Sequence, residues 1–155
     1  MIVLTTLLLA LPTAFLLRTF LGGWQTVMSV DALERAEVAY IRNAGIFLVQ
    51  TEDGPLALTA ASPHPDHGLH YCRASETFVG THGEVFDRRG FYLGGPAPRG
   101  MDRVAVRTEG GVVQVDADEV TPGPPRGAGS SVEPTRLQCD LPDADDPAGF
   151  APATG

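Results

Sequence analysis

The chain has 155 residues, a hydrophobic fraction of 43%, 18 glycines and 13 prolines. This length gives room for one domain with flanking segments, and the frequent glycine and proline favour short strands and turns over long helices. The formal net charge of −8 disfavours a nucleic-acid partner, because phosphate groups would be repelled.

Residues 2–17 form an almost wholly apolar run at the start of the chain. A membrane-spanning helix needs about 20 apolar residues, a length the run reaches only by continuing past Arg18 to Trp24. An arginine can extend its charge to the interface, and a tryptophan suits the headgroup region. A cleaved signal peptide and a buried helix are the alternatives, but no basic segment precedes the run and no clean cleavage motif follows it. We therefore expect residues 1–24 to form an uncleaved membrane-anchoring helix.

Residues 25–37 read as a linker, with a helical turn over 32–37 capped by Ser29 or Asp31. The β-rich run over 45–50 then leads into the Asp53-Gly54 turn, and the apolar residues after it predict a β-hairpin over 45–59. A further short strand is expected over 38–42.

Residues 60–76 are expected to be irregular, since Pro63, Pro65 and Gly68 interrupt any regular element. Short strands are predicted at 77–79, 85–86 and 91–93, followed by a closing hairpin over 101–108 and 112–116. Short strands separated by turns predict a small, all-β antiparallel sandwich or barrel over residues 38–118. Residues 119–155 are rich in Pro, Gly and Asp, and the chain is predicted to be disordered from Thr121 onward.

All four histidines and one of the two cysteines lie within a short central stretch. They are His64, His67, His70, His82 and Cys72. The spacing H-x2-H-x2-H-x-C is compatible with a borderline-soft ion such as Zn²⁺. The simpler interpretation is that these histidines make ordinary loop hydrogen bonds, and that Cys72 and Cys139 are free thiols. The two cysteines could instead pair in an oxidising compartment, although one possible pair is weak evidence.

The segment Thr81-His82-Gly83-Glu84-Val85-Phe86-Asp87, followed by Gly90 and by Gly95-Pro96-Ala97-Pro98, resembles a Rieske iron–sulfur domain. The hairpin over 45–59 also resembles the one that precedes the family's first cluster loop. The resemblance covers roughly residues 36–118. It implies an all-β Rieske fold in which His64 and His82 lie on two adjacent loops. It also implies that Gly95, Pro96, Ala97 and Pro98 form a lid over the cluster position.

The ligand positions depart from the family pattern. A Rieske centre is a [2Fe–2S] cluster held by two cysteines and two histidines. The resemblance places His64 and His82 at the histidine positions but Ser62 and Val79 at the cysteine positions. The cysteine pair that braces the loops in quinol-oxidising members is also missing, and Glu84 brings negative charge where a serine is common. We therefore expect a Rieske fold that has lost its cluster and carries no cofactor.

The resemblance and the apolar run together suggest a function. The expected protein is a clusterless accessory subunit of a membrane redox complex, respiratory or photosynthetic, without catalytic activity of its own. Its expected partners are the membrane and subunits such as a cytochrome b-type protein, with the domain on the outer face. The alternative is an electron-transfer subunit with a retained [2Fe–2S] cluster, or with Zn²⁺ at a rebuilt site of His64 and His82, joined by His67, His70 and Cys72.

Overall fold

A computed structural model describes residues 23–64 and 68–129 of the chain. In these residues ten strands and one short helix follow one another, and the elements have the following bounds: β1 (Trp24–Ser29), α1 (Val30–Ala36), β2 (Val38–Ile41), β3 (Ile46–Thr51), β4 (Gly54–Thr59), β5 (Leu69–Cys72), β6 (Thr77–Gly80), β7 (Val85–Asp87), β8 (Tyr92–Gly94), β9 (Arg103–Glu109) and β10 (Val112–Thr121). The strands form two antiparallel sheets. The larger has the order β1-β10-β9-β4-β3-β2, and the smaller has the order β5-β6-β7-β8. The predicted all-β architecture is confirmed.

Strand β3 separates two hydrophobic clusters. Its apolar residues follow one another without interruption, so both of its faces can be buried. Phe47 and Val49 pack in one cluster with residues of the smaller sheet, including Phe78 and Phe86. Because side chains alternate along a strand, Ile46 and its alternate neighbour Leu48 enter the other cluster, beneath α1. Strand β3 also forms the hairpin with β4 that the Asp53-Gly54 turn predicted. Thr51 is paired with Gly54 at the turn.

The segment 25–37, expected to be a linker with one helical turn, forms most of strand β1 and the helix α1, so the helical turn is present but the strand was not predicted. Strand β1 pairs with β10, in a register that places Trp24 opposite Asp116. Ser29 caps α1 by accepting a hydrogen bond from the Ala32 backbone, as one of the two predicted caps. Leu33 is fully buried. The segment is therefore part of the domain, because it contributes both sheet hydrogen bonds and core side chains.

The expected anchor helix lies almost entirely outside the described residues. Trp24, expected near lipid headgroups, begins β1 instead and lies under the guanidinium of Arg107, whose Cζ is 4.3 Å from the ring centroid. Within residues 23–64 and 68–129, the structure contains no helix with the length and apolar composition of a membrane span.

Two other segments are more regular than expected. Strand β5 lies inside the stretch predicted to be irregular, and it pairs with β6 along its whole length. After β10, residues 122–129 pack back on the domain instead of being disordered: the Gly123 N–H donates to Asp102 at 2.8 Å, and Gly100 donates to the Pro124 carbonyl at 2.8 Å. Residues 130–155 of the predicted disordered tail lie outside the described residues.

Candidate metal-binding and docking site

Two loops at one end of the smaller sheet bring His64 and His82 together. His64 lies between β4 and β5, and His82 lies in the turn between β6 and β7. The centroids of the two imidazole rings are 5.8 Å apart, and the ring planes are inclined at 52°. The first loop is ordered locally by Ser62, whose Oγ accepts the His64 backbone N–H at 3.1 Å. The structure thus places the two histidines on adjacent loops, as the resemblance implies.

Glu84 connects the two loops through its carboxylate. It is fully buried, although it lies in a turn between strands. Its Oε1 accepts the Ser62 hydroxyl at 3.3 Å and lies 3.4 Å from His64 Nδ1. Its Oε2 accepts the His82 backbone N–H at 3.1 Å. One carboxylate therefore contacts both loops, a role that the sequence analysis did not predict for it.

The turn that carries Glu84 is tight, and Gly80 makes room for the carboxylate. Gly80 N–H donates to the Glu84 carbonyl at 2.9 Å, and Gly83 N–H donates to the Gly80 carbonyl at 3.1 Å. These bonds fold the turn so that the side chain of Glu84 lies beside Gly80, which is itself buried. The sequence does contain a signal for this contact. Glu84 follows His82 by only two residues within a short turn, so its side chain could be expected to lie near that histidine.

The result is a group of three donors of different kinds. Ligand atoms of His64, His82 and Glu84 all lie within 4.8 Å of one another. His64 is about one-third exposed at its side chain, His82 is exposed, and Glu84 is buried. Two imidazoles and one carboxylate form a ligand set that divalent transition metals use in proteins.

The segment Gly95–Pro98, called the lid after the resemblance, contacts the second histidine loop at Gly95. Gly95 has a φ of +90°, and a Cβ at that position would lie 2.3 Å from the Gly83 carbonyl oxygen, so the two backbones are in direct contact. Ala97 is fully buried, whereas Pro96 and Pro98 are exposed. The lid thus presents two prolines to solvent.

Side chains from outside the lid fix its carbonyl groups. The Tyr92 hydroxyl donates to the Gly95 carbonyl at 2.6 Å. The guanidinium of Arg126 donates to the carbonyls of Gly95 and Ala97 and lies 4.4 Å from the centroid of the Tyr92 ring. Arg126 follows the last strand, so the segment after β10 takes part in holding the lid.

The remaining predicted site residues lie elsewhere or are differently engaged. Val79 is half-buried in β6, where it pairs with His70 of β5. Within the described residues, His70 is not a member of the donor group. Cys72 is buried and disulfide-bonded, so it is neither the free thiol of the simpler interpretation nor a thiolate ligand of a rebuilt metal site. His67 lies outside the described residues.

These residues do not fit a Rieske cluster. Such a cluster requires two thiolates in addition to two imidazoles. The Ser62 hydroxyl donates its hydrogen bond to Glu84, and Val79 has no donor atom. Between the two histidine loops lies the Glu84 carboxylate, which contacts both of them.

No protein-family model matches the sequence, and no curated protein matches it. Among solved structures, the chain is similar to the cyanobacterial plasma membrane Rieske protein PetC3 from Synechocystis PCC 6803, with a TM-score of 0.50 and 21% sequence identity. The similarity covers 59% of this chain and 97% of that chain. At this level of identity the likeness establishes the fold, which is Rieske-like.

Proposed function

We propose that this Rieske-like domain is a clusterless accessory subunit of a membrane redox complex, and that it contributes a docking surface instead of an electron carrier. The observation that supports this most directly is the buried Glu84 carboxylate between His64 and Ser62. It joins the two loops that an iron–sulfur cluster joins in a Rieske protein.

The electrostatics of the site also oppose a cluster. A [2Fe–2S] centre with thiolate and sulfide ligands carries negative charge, and a carboxylate withdrawn from water beside it is poorly screened. Glu84 is completely buried, so water cannot separate its charge from a group held between the loops. Replacement of two thiolates by a hydroxyl and a hydrocarbon also removes the strongest iron–protein bonds.

The surface around the lid is suited to contact with a partner. His82, Pro96 and Pro98 are exposed, and Tyr92 and Arg126 fix the carbonyl groups of Gly95, before the two prolines, and of Ala97, between them. Exposed loop residues on a rigid scaffold are a common basis for recognition. We propose a cytochrome b-type membrane subunit as the partner, since the apolar run at 2–17 favours a membrane anchor and the structurally similar PetC3 is a plasma membrane protein. We also propose the outer face of the membrane as the location of the domain.

Metal and sulfide analysis tests the absence of a cluster. The full chain is purified anaerobically, incubated with iron and sulfide, and assayed for both elements beside a cluster-bearing Rieske protein. We expect iron and acid-labile sulfide at background levels. About two of each per chain, with a Rieske-type EPR signal on reduction, would show that the proposal is wrong.

Affinity purification from solubilised membranes tests the accessory role. A tagged chain and a variant with Pro96 and Pro98 both changed to alanine are compared. We expect a cytochrome b-type protein to co-purify with the wild type and less of it with the variant. Equal recovery would place the docking surface away from the lid, and recovery of no redox subunit would contradict the accessory role.

A second candidate is an electron-transfer subunit with a rebuilt metal centre. The close approach of His64, His82 and Glu84 is the observation that favours it. The deciding measurement is a redox titration of the protein as isolated, followed by absorption and EPR. A reversible one-electron signal that requires both histidines would favour this candidate over the accessory role.

A further inference from the structure

We propose that His64, His82 and Glu84 together bind one divalent metal ion of the zinc type, and that this ion locks the two loops together. The inference rests on the clusterless function proposed above, because a [2Fe–2S] cluster would need the same two histidines. It differs from a site predicted from histidine spacing, since it uses Glu84 and excludes His70 and Cys72.

The donor chemistry supports a single ion. Zn²⁺ is bound tetrahedrally by imidazole nitrogen and carboxylate oxygen at about 2.0–2.2 Å, so neighbouring ligand atoms lie about 3.4 Å apart. In the structure the three ligand atoms lie within 4.8 Å of one another. Each pair therefore needs to approach by about 1.4 Å at most, given that bond geometry. His82 is exposed, so its ring can supply much of this movement.

The burial of Glu84 gives a physical reason for a cation. A buried carboxylate is costly unless a positive charge or several donors compensate it. Its contacts in the structure are a hydroxyl, a backbone N–H and the His64 imidazole. The ion pairs that arginines form within residues 23–64 and 68–129 are made with other acids. A divalent ion between the carboxylate and the two imidazoles would supply the compensating charge.

Ser62 orients the carboxylate without being a ligand in this proposal. Its hydroxyl donates to Oε1 of Glu84 while its oxygen accepts the His64 N–H, so it couples two of the proposed ligands. Such groups behind a metal ligand fix its orientation and raise affinity. Three protein ligands leave a fourth tetrahedral position for water.

The test is a titration of the metal-free full chain with Zn²⁺ by calorimetry, with Co²⁺ as a spectroscopic probe of coordination. We expect one ion per chain in the wild type and tetrahedral Co²⁺ absorption. His82→Asn and Glu84→Gln should each weaken binding at least about 100-fold, since loss of partners behind a ligand already costs about 10–100-fold. His70→Asn is the matched control and should bind as the wild type does.

Thermal unfolding separates metal binding from folding. His82 is exposed, so His82→Asn should unfold at the wild-type temperature without metal. Zn²⁺ should raise the unfolding temperature of the wild type and of His70→Asn, but not that of His82→Asn, because a ligand stabilises only the state that binds it. Equal Zn²⁺ affinity in the wild type and the His82 and Glu84 variants would overturn the proposal, as would equal weakening by His70→Asn.

The two proposals fail differently. Iron with stoichiometric acid-labile sulfide would contradict the clusterless function and with it this site. Absence of sulfide together with absence of specific Zn²⁺ binding would contradict the metal site alone.

Discussion

The Glu84 carboxylate occupies the space into which a side chain at Gly80 would project. A Cβ placed on Gly80 would lie 2.3 Å from Oε2 and 2.8 Å from Cδ of Glu84. Real Cβ atoms do not approach other atoms so closely, so a glycine at position 80 and a buried acid at position 84 depend on each other. Position 80 requires glycine because a larger residue would have no space, and not because of backbone conformation, since Gly80 is not among the glycines with positive φ.

Gly80→Ala should destabilise the domain through this contact. We expect a loss of about 1–3 kcal/mol in the free energy of unfolding, the usual cost of inserting a methyl group where there is no room. In a Glu84→Ser background the same substitution should cost much less, because the shorter side chain frees the space. Urea unfolding of the four proteins in this cycle gives the coupling energy. Additive costs would show that the carboxylate does not fill the space beside Gly80.

A second prediction concerns restoration of the cluster ligands. Ser62→Cys with Val79→Cys restores both thiolates, but Glu84 remains between the loops. We expect the triple variant that also carries Glu84→Ser to assemble more cluster than the double variant after anaerobic reconstitution. Acid-labile sulfide and visible absorption measure the loading. Equal loading of the two proteins would mean that Glu84 is no obstacle.

Asp87 gives a prediction for the acid range. Its Oδ1 accepts the backbone N–H groups of Arg89 and Phe91 at 2.9 and 2.8 Å. Burial raises the pKa of Asp87 above its ordinary value of 3.8, an effect that the two hydrogen bonds only partly oppose. The folded state therefore holds the proton more tightly than the unfolded state, and the contribution of Asp87 to stability falls as pH rises from 3.8 through the folded pKa.

Asp87→Asn should abolish the loss of stability that Asp87 causes as pH rises, because asparagine does not ionise. It keeps an oxygen that can accept the two backbone hydrogen bonds. Relative to the wild type, the variant should gain stability between acid and neutral pH, as measured by urea unfolding below and above this window. Asp87→Ala loses both hydrogen bonds and should cost about 1–2 kcal/mol at either pH. If the stability difference between the Asp87→Asn variant and the wild type stayed constant across the window, the raised pKa would be contradicted.

Arg126 should control the mobility of the lid. Arg126→Ala removes the donors to the Gly95 and Ala97 carbonyls and the contact with Tyr92, so we expect faster amide exchange at Gly95 and Ala97. Arg107→Ala is a matched control, because it removes a similar arginine–aromatic contact with Trp24 between two strands of the larger sheet. If both variants changed lid exchange equally, Arg126 would not act through its contacts with the lid.

Local patterns predicted the elements whose partners are near in sequence. The β3–β4 hairpin follows from Asp53-Gly54 and the apolar runs beside it, and the fold class follows from the succession of short strands. Strand β1 was missed because its partner β10 is remote, and its own residues carry little apolar alternation. Strand β5 was missed because the prolines before it suggested an irregular segment, whereas its backbone pairs with β6 from Leu69 to Cys72.

The candidate site was predictable in part. The resemblance to Rieske loops brought His64 and His82 together, and their ring separation agrees with it. The contacts of Glu84 were not predictable, because they depend on how the turn from Gly80 to Gly83 directs one side chain inward. The ordered packing of residues 122–129 was missed for a similar reason. It depends on hydrogen bonds from Arg126 to carbonyl groups of the lid, and no sequence pattern predicts such bonds.

The pairing of β1 with β10 has a consequence for the order of events during synthesis. The first described strand completes its backbone ladder only with the last one, and the Gly23 N–H meets the Asp116 carboxylate across 93 positions of sequence. Contacts of such long range form late, since loop closure must precede them. While the ribosome is still making β9, the strand that pairs with β1 has not been made, and an unpaired strand is the kind of surface on which nascent chains associate wrongly. The lid is secured later still, because Arg126 follows the final strand.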